Sequence, residues 1–295
     1  MVSPGILLVD KPGGLTSHDV VARVRRAFGT RKVGHAGTLD PMATGLLVIG
    51  VEGATRLLTY IVGADKTYEA TIRLGQATST DDAEGEIVQT TDAGEVPSSE
   101  IAAGIARLTG EISQVPSAVS AIKVDGRRAH DRVRAGEQVE LAAREVTVSR
   151  FEVLAERRGD GVVDLDVIVD CSSGTYIRAL ARDLGAGLGV GGHLTALRRS
   201  RVGDFDVADA VTIEQLADAA PMTPAAAAER VLPVLAVSAD EARDLRHGKR
   251  LGGQASRLTA PLVAAIDPDQ VLVGVVEARG KDVKSAMNMP EEASR

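Results

Sequence analysis

Between Gly34 and Leu47 the chain reads GHAGTLDPMATGLL, and Asp40 is the carboxylate of that stretch. Its other polar side chains are His35, Thr38 and Thr44. A carboxylate in so tight a turn has few local charges to pair with. It is either a structural turn cap or a nucleophile, since an ionised Asp can attack an electrophilic carbon and split one hard step into two. A nucleophile of this kind must be ionised, oriented and shielded from water, and a nearby arginine keeps it ionised by charge pairing. Arg178, in CSSGTYIRAL (171–180), is the favoured partner. A flat substrate needs a ring to pack on, and the chain has only three Tyr and three Phe. Tyr68 in DKTYEA and Tyr176 in GTYIR therefore stand out. Each has a plainer reading: a Tyr in a strand packs in the core, and an Arg beside a helix stripe snorkels.

Several chemistries lack their signatures. There is no GxxxxGK[ST] loop, no GxGxxG and no HExxH. His18, His35, His130, His193 and His247 have no metal-ligand spacing, and the single cysteine, Cys171, offers neither a disulfide framework nor a thiolate cluster. The pattern favours chemistry run by side chains alone, or no chemistry. No apolar run approaches the ~18 residues of a membrane span, and MVSPGILLVDKPGG lacks the features of a signal peptide. A cytoplasmic protein fits, and nothing demands more than a monomer.

The 295 residues are 44% apolar, enough for one large domain or two, and carry a net charge of −7. That average conceals segregation. Residues 76–100 hold seven acids and no Lys or Arg, residues 121–134 five bases against two acids, and residues 17–39 five bases against one acid. Arg198, Arg199 and Arg201 form a third basic cluster. Local basic patches, rather than net charge, make a polyanion footprint.

The elements that must position these groups follow from periodicity. Residues 6–9 and 46–51 read as buried strands on either side of the Asp40 turn. Thr16 or Ser17 can cap a helix over 18–28, with Val20, Val21, Val24, Ala27 and Phe28 on one face. Residues 55–61 and 99–108 read as helical, 66–74 as an alternating strand, and the acidic segment after it as a loop. Residues 123–128 centre on a Val-Asp-Gly-Arg hairpin turn, and 145–156 and 162–169 flank another. Residues 175–188 read as a helix striped with Ile177, Leu180, Ala181 and Leu184. Strands and helices mix without βαβ alternation, which gives an α+β fold with a largely antiparallel sheet. The Ala/Pro-rich stretch 218–233 marks a boundary, 234–276 reads as a small β-rich unit, and 279–295 as frayed.

The chain resembles the TruB family of tRNA pseudouridine synthases, which modify uridine 55 in the T loop. The resemblance rests on DKPGGLTSHDVVARVRR (10–26), GHAGTLDPMATGLLVIGVEGATRL (34–57), DKTYEATIRLGQATSTDDAEGE (65–86), VPSAVSAIKVDGRRAH (115–130), CSSGTYIRALARDLG (171–185) and GGHLTALRRSRVG (191–203), in the family's order. It implies a catalytic α+β domain over 1–230 with a central antiparallel sheet and an RNA-gripping insertion at about 115–145. A PUA-like β-barrel over 231–280 and a disordered tail over 281–295 would follow. Asp40 would be the nucleophile and Tyr68 would stack on the target uracil. Arg178 would pair with Asp40, Tyr176 and Leu197 would line the pocket, and Lys11 would support it. His35 would help take the place of the extruded base. Arg23, Arg31, Lys32, Lys123, Arg127, Arg128, Arg198 and Arg199 would hold the RNA backbone, with tRNA as the partner and no cofactor. The chain departs from the family pattern at Val119, where an aromatic residue is usual, and at His130, where Tyr is usual. Two other readings compete: a non-catalytic RNA-binding or tRNA-folding protein, served equally by the basic clusters, and a glycosidase-like enzyme, for which the Asp40 turn lacks a second acid.

Overall fold

The computed structural model describes residues 2–117, 123–124, 127–128 and 141–290. In chain order the strands are β1 (Gly5–Lys11), β2 (Val33–Ala36), β3 (Thr44–Val51), β4 (Lys66–Leu74), β5 (Gln76–Thr78), β6 (Ile87–Thr90), β7 (Gly110–Gln114), β8 (Lys123–Val124), β9 (Arg127–Arg128), β10 (Arg144–Gly159), β11 (Val162–Cys171), β12 (Gly192–Val202), β13 (Phe205–Asp206), β14 (Val234–Ala236), β15 (Val263–Ile266), β16 (Leu272–Arg279) and β17 (Asp282–Asn288). The helices are α1 (Ser17–Phe28), α2 (Leu58–Ile61), α3 (Ser98–Arg107), α4 (Ile177–Gly187), α5 (Pro224–Glu229) and α6 (Ala239–Arg246). Residues 1–41, 45–64 and 201–295 make one compact unit, and 42–44 with 65–200 make a second. The architecture is the expected α+β one, with antiparallel pairing of β1 and β2 with β3, of β4 with β11 and of β10 with β7 and β11, and a parallel pair, β14–β15, near the C-terminus.

In the first unit β3 pairs antiparallel with both β1 and β2. The runs ILLV and LLVIGV are continuously apolar because both faces are covered. Leu7, Val9, Leu47 and Ile49 pack on Val20, Val21 and Val24 of α1. Ile6, Leu8, Leu46 and Val48 turn the other way, toward Ala54, Leu57, Ile61 and Phe205. Each such side chain stabilises the fold by at most ~1.5–3 kcal/mol. Helix α1 starts where the sequence places it: Thr16 caps the Asp19 amide, and Asp19 returns a bond to the Thr16 amide. Gly29, at φ 63°, closes the helix in the left-handed conformation.

The C-terminal part of this unit is a four-stranded sheet in the order β14-β15-β16-β17. Leu235, Leu245, Val263, Val273, Val276 and Val283 form its own buried cluster, while Ala264, Ile266 and Leu272 share a second cluster with Ile6 and Leu8. The frayed tail expected from 279 onward, and the disordered one from 281, begin too early. Asp282–Asn288 pair with β16, because Val283 and Met289 are buried apolar anchors and Val283 exchanges backbone bonds with Leu251.

In the second unit β4 pairs with β11, β11 with β10, and β10 with β7, all antiparallel. The β10–β11 hairpin turns on Asp160 and Gly161, at φ 51° and 74°, the two left-handed residues of a type I′ turn. The acidic segment read as a loop contains a short ladder, β5–β6. The hairpin expected at 123–128 is present as β8–β9, with Lys123 opposite Arg128. The rest of the 118–140 stretch, including Val119 and His130, lies outside the described residues.

Candidate active site

In the first unit the backbone around Asp40 is pinned on both sides. The Ser17 hydroxyl accepts from the Leu39 N–H at 2.9 Å and donates to the Leu39 carbonyl at 3.2 Å. On the other side the Pro41 carbonyl accepts from the Gly14 N–H at 2.8 Å and from Lys11 Nζ at 3.2 Å. Lys11 is fully buried, and its ammonium also donates to the carbonyls of Leu15 (2.6 Å) and Pro12 (3.0 Å). The segment 11–17 thus acts as a clamp on the two neighbours of Asp40. Leu39 and Ser17 are buried while Asp40 is half-buried, so the carboxylate sits at the boundary of a fixed backbone. His35, on β2, meets the ring of His18 edge-on, with centroids 5.6 Å apart. Arg23, Arg31 and Lys32 are exposed, as a phosphate-contacting role requires. Lys32 lies 3.4 Å from Glu52.

The second unit holds the other expected site residues. Tyr68 is buried, on the same side of β4 as Lys66, Ala70, Ile72 and Leu74. Tyr176 precedes α4, and its peptide is clasped by the buried Gln114 side chain. Gln114 Oε1 accepts from the Tyr176 N–H at 2.8 Å, and Nε2 donates to the Tyr176 carbonyl at 3.1 Å. Leu197 is buried on β12, and its carbonyl accepts from the Thr44 hydroxyl at 3.4 Å.

Arg178 is buried on α4 and makes an ion pair with Asp82, guanidinium to carboxylate 3.2 Å. Asp82 belongs to the acidic segment and was not singled out from the sequence. Its second oxygen accepts from the Thr80 hydroxyl (2.5 Å) and the Glu84 amide (3.0 Å). One helical turn on, Arg182 reaches Asp81 at 3.4 Å. The signal was present as two arginines four apart on a helix and an Asp-Asp pair elsewhere, but nothing local joins them. Ser17 and Gln114 were missed for the same reason, since a serine read as a helix cap and a glutamine at a strand end carry no chemical signature.

The basic cluster at 198–201 does not act as one patch. Strand alternation leaves Arg198 half-exposed but turns Arg199 inward to 1% exposure. The expectation that Arg199 faces RNA is corrected accordingly. Arg199 instead acts electrostatically on Lys66, which is 5% exposed. Burial, with the Arg199 charge second, brings the Lys66 ammonium down to about 8. Burial likewise pushes the thiol of Cys171, opposite Lys66 in the β4–β11 register, up to about 11. Lys123, Arg127 and Arg128 are described through their backbone pairing alone.

Residues 25–177 match the TruB family pseudouridylate synthase N-terminal domain, 178–240 the tRNA pseudouridylate synthase B C-terminal domain and 232–290 the tRNA pseudouridine synthase II C-terminal domain. The chain belongs to the TruB family. It is 60% identical over 299 aligned residues to the tRNA pseudouridine synthase B of Leifsonia xyli subsp. xyli, covering 99% of this chain and 98% of that one. It is 57% identical to the protein of that name from Rhodococcus jostii, covering 97% and 94%. Among solved structures, an H/ACA RNP bound to a substrate RNA containing 2'-deoxyuridine aligns at a TM-score of 0.73 with 26% identity, over 97% of this chain and 85% of the other. An archaeal box H/ACA sRNP complex aligns at 0.72 with 27% identity, over 97% and 86%.

Proposed function

We propose that this chain isomerises uridine to pseudouridine in tRNA, at position 55 of the T loop, with Asp40 as the nucleophile. The observation that carries the reading is the clamp on Leu39 and Pro41, which holds a half-buried carboxylate on a backbone it cannot shift. Fixing a reacting group in this way converts binding energy into rate, and a misplacement of about 1 Å costs on the order of 10²-fold.

The target base is stacked in a folded loop and must be flipped out, at a cost of a few kcal/mol. Tyr68 offers its ring to the extruded uracil, a contact of about 1–3 kcal/mol, and Tyr176 and Leu197 close the pocket around it. His35 occupies the space the base leaves. Arg178 pairs with Asp40 and keeps it ionised, while Lys11 supports the turn through the Pro41 carbonyl. Asp40 bonds to the ribose or to the uracil ring, the glycosidic bond breaks, and the base rotates and rejoins the sugar through carbon 5. Arg23, Arg31, Lys32, Arg198 and the 123–128 hairpin hold phosphates, and the 234–288 sheet serves as a PUA-like RNA-binding element. The enzyme works as a cytoplasmic monomer.

The test is tritium release from a T-arm stem-loop labelled at uridine carbon 5, wild type beside Asp40→Asn. Release by the wild type alone is the expected result, with stem-loop affinity retained in the variant. Binding without release by either protein would point to an RNA-binding role instead.

A further inference from the structure

Glu52 follows β3 at φ 51°, in the left-handed region that a residue other than glycine enters at a cost. Its carboxylate turns back on the loop between α1 and β2. There it accepts from the Thr30 hydroxyl and lies 3.4 Å from the Lys32 ammonium. The Glu52 N–H donates to the Lys32 carbonyl at 2.7 Å, and the Thr30 hydroxyl oxygen accepts from the Lys32 N–H at 3.2 Å. All of these groups belong to the first unit. The Thr30 bond, aided by Lys32, holds the Glu52 carboxyl below its ordinary 4.5, so it is ionised at neutral pH. Stability alone does not account for the arrangement. The Lys32 side chain is 77% exposed, and an ion pair so open to water adds little. A glutamine would serve Thr30 equally well as an acceptor, and a glycine would remove the strain. What a glutamate adds is a negative charge on Lys32, at a place where the chain is read as meeting a polyanion.

Building on the tRNA reading, we propose that Glu52 competes with RNA phosphate for Lys32: a phosphate displaces the carboxylate before Lys32 can hold it, and tRNA affinity is held down accordingly. The displaced carboxylate is 24% exposed and keeps the Thr30 hydroxyl, so the exchange strands no charge. Substrate and product carry the same phosphates, so both are weakened alike. A change in binding that is uniform along the reaction leaves the chemical step untouched. Its consequence is that modified tRNA, no less than unmodified, leaves the enzyme readily. Glu52 is thus a residue that sets affinity through Lys32, and it takes no part in the chemistry.

The experiment measures binding of the T-arm stem-loop, before and after reaction, at several salt concentrations, for wild type, Glu52→Gln, Lys32→Ala and the double variant. Glu52→Gln keeps an acceptor for Thr30 and removes the charge. It should bind both forms of the stem-loop about 2- to 5-fold more tightly and steepen the salt dependence by about 1. Its single-turnover tritium release at saturating enzyme should match the wild type. In the Lys32→Ala background the same change should bring no gain, because the contested ammonium is gone. A gain that survives there would mark a long-range effect of charge and overturn the exchange. Unchanged or weaker binding by Glu52→Gln overturns it too, and is what a merely structural glutamate predicts. Should Glu52→Gln fail to fold, Glu52→Gly takes its place, since glycine adopts φ 51° without strain, and the same gain is expected of it. A wild type that binds no stem-loop would sink the tRNA reading itself, a failure distinct from bound RNA with an unmoved affinity.

Discussion

Arg178 and Asp82 form a buried ion pair, 3.2 Å from guanidinium nitrogen to carboxylate oxygen. The same nitrogen donates to the Thr80 carbonyl at 2.9 Å. With Arg182 and Asp81 one turn on, the pair ties the acidic 78–86 segment to α4. Two of the acids that lower the net charge of the chain, Asp81 and Asp82, therefore hold arginines of α4 rather than merely facing solvent.

Asp82→Ala should destabilise the protein by about 3–5 kcal/mol, the usual cost of removing one partner from a buried pair. Asp82→Asn keeps the shape and should fold, while turnover falls on the order of 10²-fold because Arg178 is no longer held. Denaturant titration and tritium release measure the two effects. Full turnover in Asp82→Asn would show that Arg178 needs no help from this acid.

Ser17→Ala removes both bonds that a buried hydroxyl makes to the Leu39 N–H and carbonyl. The expected loss is about 1–3 kcal/mol of stability, with a fall in kcat and little change in KM. Lys11→Met should act in the same direction through Pro41. A change confined to KM would argue that the clamp serves RNA binding instead.

Arg198→Ala and Arg199→Ala should differ in kind, although the residues are adjacent. Arg198 is half-exposed, so its loss should weaken tRNA binding and reduce the salt slope by about 1. Arg199 is buried, so its loss should lower the melting temperature and leave the slope unchanged. Binding isotherms at several salt concentrations, with thermal melts, separate them.

The carboxyl of Asp164 lies below its ordinary 3.8 because Arg73 bonds it through two guanidinium nitrogens, at 2.8 and 2.7 Å. A lowered carboxyl contributes stability that is present above the unfolded value and lost as pH falls through the folded one. Wild type should therefore lose stability below about pH 4 more steeply than Asp164→Asn. Denaturation midpoints across that range check it, and parallel curves would show that the half-buried pair contributes nothing.

What the residue order determined was local. The cap at Thr16 or Ser17, the hairpin at Asp160–Gly161 and the strand alternation of Lys66–Leu74 each depend on neighbours within a few positions, and each was legible as written, whereas the return bond from Asp19 and the left-handed close at Gly29 were not read from it. The motif around Asp40 was legible too, because its residue types are unusual together. The tertiary structure decided everything that depends on residues brought together from afar. Only folding sets Ser17 on Leu39, Gln114 on Tyr176 and Asp82 on Arg178, across 22, 62 and 96 positions. Burial also divides Arg198 from Arg199, since which side of β12 meets the core is settled by the strands and helices packed against it. A charge looks alike in a sequence whether water or protein surrounds it; the difference lies in the solvation it keeps, and the fold alone assigns that.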